Sequence, residues 1–285
     1  MLLLAHLVLL LLLRLLLRTL LLSLLATHSP DELHAYILDL GGRNFRSFEE
    51  LPHIGAVIYA SEETFEERLQ RLLHHLSVQI EQRQQIISSA DARGFTDFNL
   101  RFSAQAMPAI VVLIDNFAEL QLLDNYDKLF AESLLPLVRG AMNVGICFVV
   151  ATNAPNNLQG LYSLFGERIT FKQANTDRYM DIVGRGAIEL GDTPGRGYIR
   201  RDRKVLLFQA AMPAGFFDET ASTLRTEAQD ISVLAQHMKM ALAARGRRYA
   251  PPTPIHVLPE HVPLSAVLRE VGGAGVAHEA QVRRG

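Results

Sequence analysis

The chain has 285 residues, 49% of them apolar, enough to bury a sizeable core and to hold one large α/β domain with appendages. Its formal charge of −2 excludes a strongly basic nucleic-acid binder on bulk charge, although a basic strip along a pore would not show in the net value. The single cysteine, Cys147, excludes an internal disulfide and suits a reducing compartment, and the 10 histidines show no zinc-site spacing.

Residues 1 to 13 are apolar except for His6, and Arg14 and Arg18 then interrupt a run of leucines. The uninterrupted stretch is shorter than the roughly 20 residues a spanning helix needs. A secretory signal would carry its charges ahead of the apolar run. Contact of this N-terminal segment with a membrane stays open. Leu15 to Ala26 reads as the first helix, Ala35 to Leu40 as a strand ending at Gly41-Gly42, and Ile54 to Tyr59 as another. Ser61 is expected to cap a long helix with Glu62 and Glu63 in its first turn. Phe65, Leu69, Leu72, Leu76 and Ile80 mark its apolar face, leaving Arg68, Arg71 and Arg83 on the others. Residues 94 to 101 read as a polar connection.

The stretch from Ala109 to Ile114 is a continuous, mostly β-branched run that ends in Asp115. Such a run suits a strand buried on both faces of a parallel sheet. Asp115 would then emerge at the carboxyl edge, where open α/β sheets place ligands. The alternative is a core strand that ends in a solvated acid. Leu129 to Val138 is expected to be a helix broken by Pro136. A second apolar strand runs from Val144 to Ala151, with Cys147 buried inside it, and ends in Thr152 and Asn153. A short strand follows at 169–171. Asn175 or Thr176 then caps a brief helix that Gly184 closes in the left-handed conformation. Gly195-Arg196-Gly197 opens a hairpin with its turn at 201–203. Residues 218 to 245 form an amphipathic helix with Leu224, Ala228, Ile231, Leu234, Met238 and Leu242 on one face. The prolines from 251 to 259 favour extended structure lying on the surface.

Taken together, the strand ending in Asp115, the strand ending in Ala151-Thr152-Asn153, the Gly-Arg-Gly turn, and His28 to Leu33 with Leu38 to Gly42 and Leu51 to Ile54 resemble the FtsK/SpoIIIE family of ring-forming motor ATPases. The spelling is most similar to the tandem ATPase modules of type VII secretion motors, over about residues 18 to 213. The resemblance implies a RecA-like P-loop NTPase fold, α/β with a mostly parallel sheet flanked by helices, followed by a C-terminal helix and an extended connector. It also implies ATP and magnesium, with Asp115 as the Walker B acid and magnesium ligand. Asn116 stands where the family keeps the glutamate that polarises water; an amide cannot accept that proton, forfeiting about 10²–10⁴-fold. Glu119 reads as a surface residue. Thr152 and Asn153 stand at the nucleotide sensor, and Arg196 is a candidate intersubunit arginine.

The same register puts the phosphate loop at Leu7 to Arg14. That loop needs Gly-x-x-x-x-Gly-Lys-Ser/Thr, yet the chain has Leu7, Leu12, Leu13 and Arg14 at those positions and no glycine before Gly41. The expected organisation is a Leu-rich segment of aberrant or truncated start (1–14), an ATPase domain (15–213), a C-terminal helix (214–249), and a connector with tail (250–285). Two readings follow. One is a degenerate or truncated ATPase module of a ring-forming DNA or protein translocase, with impaired nucleotide binding. The other is a non-catalytic structural or partner-docking module of a type VII-like motor. Either would partner its own copies or neighbouring modules in a ring. Its cargo would be DNA or secreted protein, and its place the cytoplasm or the cytoplasmic face of a membrane.

Overall fold

The computed structural model describes residues 2–153, 155–211, 226–245 and 249–257. Contacts divide the chain into two units, Met1–Ile255 and His256–Gly285; only His256 and Val257 of the second are described. The expected start of the C-terminal helix at 218–225 and the tail beyond Val257 lie outside the described residues.

Four parallel strands form the central sheet in the order β2-β1-β3-β4: β1 (Leu33–Asp39), β2 (Ile54–Tyr59), β3 (Ala109–Asp115) and β4 (Ile146–Val150). The apolar run of β3 is buried from Ile110 to Asp115 because it is an inner strand with a covered face on each side. Successive side chains alternate between those faces. On one face, Tyr36, Ile110, Val112 and Phe148 pack with Leu69, Leu72 and Leu76 of α2 (Phe65–Ser89). On the other, Ile37, Val111 and Leu113 pack with Leu17, Leu21 and Leu25 of α1 (Leu2–Thr27). A second, antiparallel sheet has the order β5-β6-β7, from β5 (Arg168–Thr170), β6 (Arg196–Arg201) and β7 (Lys204–Gln209). Asp202 and Arg203, both at positive φ, form the two-residue turn of the expected hairpin.

Several local expectations are corrected. Thr64, not Ser61, precedes the long helix, and Glu66 and Glu67 occupy its first turn, because residues 61–64 spend their backbone on a turn closed by Glu62 N–H to Tyr59 O. Arg83 is buried rather than solvated: it donates to the carbonyls of Val144 (3.0 Å) and Pro108 (2.8 Å) at the start of two strands. The supposed connection at 94–101 is a short helix, α3 (Phe95–Arg101), anchored by Phe98. Pro136 does not break its helix. A π-helical turn, Phe130–Leu134, follows α4 (Tyr126–Leu129) and leads into α5 (Leu135–Ala141), placing the proline in a first turn where its missing N–H costs little.

Further along, Asn175 caps α6 (Thr176–Val183) by accepting from Arg178 N–H, and Gly184 follows at φ 90°, ψ −172°, a glycine conformation but not the left-handed helical one. Cys147 is exposed rather than buried, on β4, which among the described residues pairs with β3 alone. The C-terminal helix α7 (Glu227–Ala244) lays Ile231 and Ala235 into the α1 side of the core, and Arg18 pairs with Glu227 at 2.6 Å.

Residues 250–255 form neither helix nor strand, and they do not simply lie on the surface. Ile255 is buried in the α2-side cluster, Tyr36 O–H donates to Thr253 O (2.9 Å), and Arg68 Nε donates to Ile255 O (3.3 Å). Gly55 makes room for them, since a Cβ there would lie 2.3 Å from the Tyr36 ring and 3.0 Å from Thr253 O.

Candidate functional site

Parallel pairing of β1 with β3 sets Asp39 directly beside Asp115 at the carboxyl edge of the sheet. Both acids are buried, at 1% and 2% exposure. Asp39 is held by the loop after its own strand: Phe45 N–H donates to it at 2.9 Å, with a long bond from Asn44 at 3.5 Å. Burial raises its pKa, and the Phe45 N–H opposes that rise.

Asp115 has a different partner. Arg14, from the middle of α1, brings Nε to 3.4 Å from Asp115 Oδ2 and donates from Nη2 to Gly41 O at 2.7 Å. Neither Arg14 Nε nor Asp115 Oδ2 has a hydrogen-bond partner among the described residues, so the pair is ionic contact without good bonding geometry. Burial pushes the Asp115 carboxyl up to about 6; Arg14 pulls it down and the charge on Asp39 pushes it further up. Glycine is needed at 41 for a packing reason, since a Cβ would lie 2.5 Å from Arg14 Nη2 and 2.8 Å from Asp115 Oδ2.

Asn116 turns the chain sharply, with φ 58° and ψ 56°, a left-handed conformation that asparagine tolerates better than most residues. The following turn, Phe117–Leu122, folds Glu119 back so that it accepts from Asn116 Nδ2 at 3.2 Å. Glu119 is therefore half-buried beside the site rather than out on the surface. Only the reversal at Asn116 could have signalled this. Asn116 Oδ1 is buried with no partner among the described residues. Ala151 N–H donates to Ile114 O and Phe117 N–H to Ala151 O, both at 2.8 Å, which brings the end of β4, with Thr152 and Asn153, to the same edge. Arg196 opens β6 in the second sheet and is exposed; no described hydrogen bond or ion pair joins it to this cluster.

The arrangement does not fit a magnesium–nucleotide complex. In the phosphate-loop register, residue 14 would be the Ser/Thr whose hydroxyl binds magnesium. Here that position carries a guanidinium, which stands against the carboxylate a divalent ion would use. α1 is continuous from Leu2 to Thr27, so the N–H groups of this register are taken by helix bonds and form no nest around a phosphate. Among the described residues, no group of three or more His, Cys, Asp or Glu side chains could hold a metal. No helix among them is long and apolar enough to cross a membrane.

Residues 15–107 match the sequence profile of the FtsK/SpoIIIE family. The chain is 30% identical over 210 residues to the ESX secretion system protein EccC of Thermomonospora curvata, covering 71% of this chain and 15% of that protein. Its fold matches EssC (ATPases 2 and 3) from Geobacillus thermodenitrificans with a TM-score of 0.73 at 22% identity, over 90% of this chain and 46% of the other. It also matches Thermomonospora curvata EccC (ATPases 2 and 3) in complex with a signal sequence peptide, with a TM-score of 0.68 at 26% identity, over 87% and 43%. The chain spans 14–15% of the length of the curated relatives it matches.

Proposed function

As a relative of the FtsK/SpoIIIE family with the α/β fold of type VII secretion ATPase modules, the chain is, we propose, one such module of a secretion motor, with its own nucleotide site impaired. The observation that carries this reading is Arg14, a fixed internal cation beside the buried Walker B position, Asp115. Asn116 adds to it, because the residue after Asp115 cannot act as a base. Glu119 reaches Asn116 but is already bonded to its amide, so it orients that side chain. Thr152 and Asn153 remain the candidate sensor residues, and Arg196 a candidate contact to a neighbouring subunit.

The module then serves in a ring of like or related modules. Its cargo is a secreted protein rather than DNA, which the secretion-system relatives and the charge of −2 support. A docking role without turnover is the second reading. A relative solved with a signal sequence peptide favours it, as does a site whose internal cation needs no ligand. The cytoplasmic face of a membrane is the corresponding location. Calorimetric titration of the full chain with ATP and magnesium tests the impaired site. We expect a dissociation constant well above about 1 μM and negligible phosphate release, with Asp115→Ala changing neither. Tight, magnesium-dependent binding would refute the impairment.

A further inference from the structure

At the amino edge of the parallel sheet, away from the end that carries Asp39 and Asp115, α2 and the starts of β1 and β3 enclose a cavity of about 210 Å³. Arg83 lines it, with His34 and Tyr36 of β1 and His75, Gln79 and Gln82 of α2. Arg83 is only 4% exposed, and no carboxylate among the described residues pairs with it. Burial lowers its pKa to about 10, which leaves it charged at neutral pH. Tyr36 opposes that shift, yet it is a neutral phenol there, its own pKa raised to about 12. The carbonyls of Val144 and Pro108 take two of the five guanidinium N–H groups, and a carbonyl is a dipole rather than a countercharge. The other three meet no acceptor among the described residues.

The lining decides the sign and size of what fits. It holds no Asp or Glu, so a cation would find repulsion from Arg83 and nothing to offset it. Several polar neighbours are already committed. Tyr36 gives its single proton to Thr253 O (2.9 Å), so the 3.1 Å bond to His75 Nε2 is donated by the histidine. His34 Nε2–H goes to Ala250 O. Gln79 donates to Gln82 Oε1 at 3.3 Å, which leaves both amide protons of Gln82 and one of Gln79. Donors therefore outnumber acceptors around the cation. A neutral apolar molecule would satisfy none of them and would bury the charge further. At about 30 Å³ for each water, the cavity has room for a phosphate-sized oxyanion with a few waters beside it.

We propose that this cavity binds a small oxyanion, a phosphate or carboxylate group, which pairs with Arg83 and accepts from the amides of Gln79 and Gln82. The planar fork of an arginine suits both groups.

Replacing Arg83 itself would also free the two strand carbonyls, so the test leaves it in place. Gln79 lies four residues before Arg83, and Gln79→Glu puts a carboxylate of the same size within one helical turn of the guanidinium. Gln84→Glu, exposed and outside the cavity, is the charge control. The full chain is dialysed to equilibrium against radiolabelled inorganic phosphate and, separately, radiolabelled acetate, at constant ionic strength. For at least one of them we expect one anion per chain, with a dissociation constant of about 1 mM or below. The tighter of the two identifies the group. Gln84→Glu should bind as the parent does. Gln79→Glu should bind at least about tenfold more weakly, because a like charge then occupies the anion's place. Its denaturation midpoint should equal or exceed that of Gln84→Glu, which separates loss of the site from loss of the fold. Binding of neither anion by the parent overturns the proposal, and so does equal binding by Gln79→Glu. No nucleotide enters the assay, so either failure leaves the nucleotide reading untouched.

Discussion

Asp115 is an acid whose ionisation opposes folding despite the cation beside it. Its carboxyl is pushed up to about 6 in the folded chain, because loss of water outweighs the attraction of Arg14 at 3.4 Å. A raised carboxyl pKa means that the folded state holds the proton more tightly than the unfolded one. Stability is therefore lost as pH rises from about 4 to about 6, and stays lost above that. Asparagine copies the neutral form. We expect Asp115→Asn to stabilise the chain by up to about 3 kcal/mol at pH 7.5 and by almost nothing at pH 4. Urea denaturation at the two pH values measures this. A variant no more stable at pH 7.5 would mean that the ion pair with Arg14 is worth more than its desolvation cost.

At the scale of elements, the segment 250–255 shows how far a composition signal can mislead. Its prolines read as an extended connector lying on the surface. In the structure the segment is tied to the domain by side chains of β1 and by its own isoleucine. His34 Nε2–H donates to Ala250 O (3.1 Å), Tyr36 donates to Thr253 O, and Ile255 fills a place in the core. Burying an isoleucine contributes about 1.5–3 kcal/mol, and each hydrogen bond about 0.5–1.5. A chain ending at Tyr249 should thus be less stable than the full chain by about 3 kcal/mol or more. Ile255→Ala in the full chain should reproduce most of the apolar part. Comparison of denaturation midpoints decides it; equal midpoints would mean that the segment rests on the domain without holding it.

For the whole molecule, two sets of buried groups work against each other as acid is added. His34, His53 and His75 have pKa values lowered chiefly by burial, so the stability tied to their neutral forms is lost as pH falls below about 6.5. Asp39 and Asp115 have raised pKa values, so their contribution grows as pH falls, that of Asp115 over the window from about 6 to about 4. The expected profile is shallow across that window. In the Asp115→Asn background one opposing group is gone, and the same acidification should cost visibly more. Denaturation midpoints at half-unit steps between pH 4 and 7 test this, and parallel profiles for the two proteins would contradict it.

The sequence by itself determined the sheet and the position of its edge. Runs such as Ala109 to Ile114 are apolar on both faces, and only an inner strand of a covered sheet has two faces to fill. Asp115 then had to emerge at the carboxyl end. The hairpin was equally legible, since turn formation there is local. Tertiary structure alone decided what Asp115 meets. Arg14 reaches it because the leucines of α1 lock that helix against the far face of the sheet, and no spacing in the chain reports a contact made across a core. Arg83 is similar: its place on α2 was readable, but not the two strand-leading carbonyls that α2 would press it against. Burial of Ile255 and exposure of Cys147 have the same cause. Whether a side chain is covered depends on which distant segment returns to it, and that is settled by packing rather than by the residues next to it in sequence.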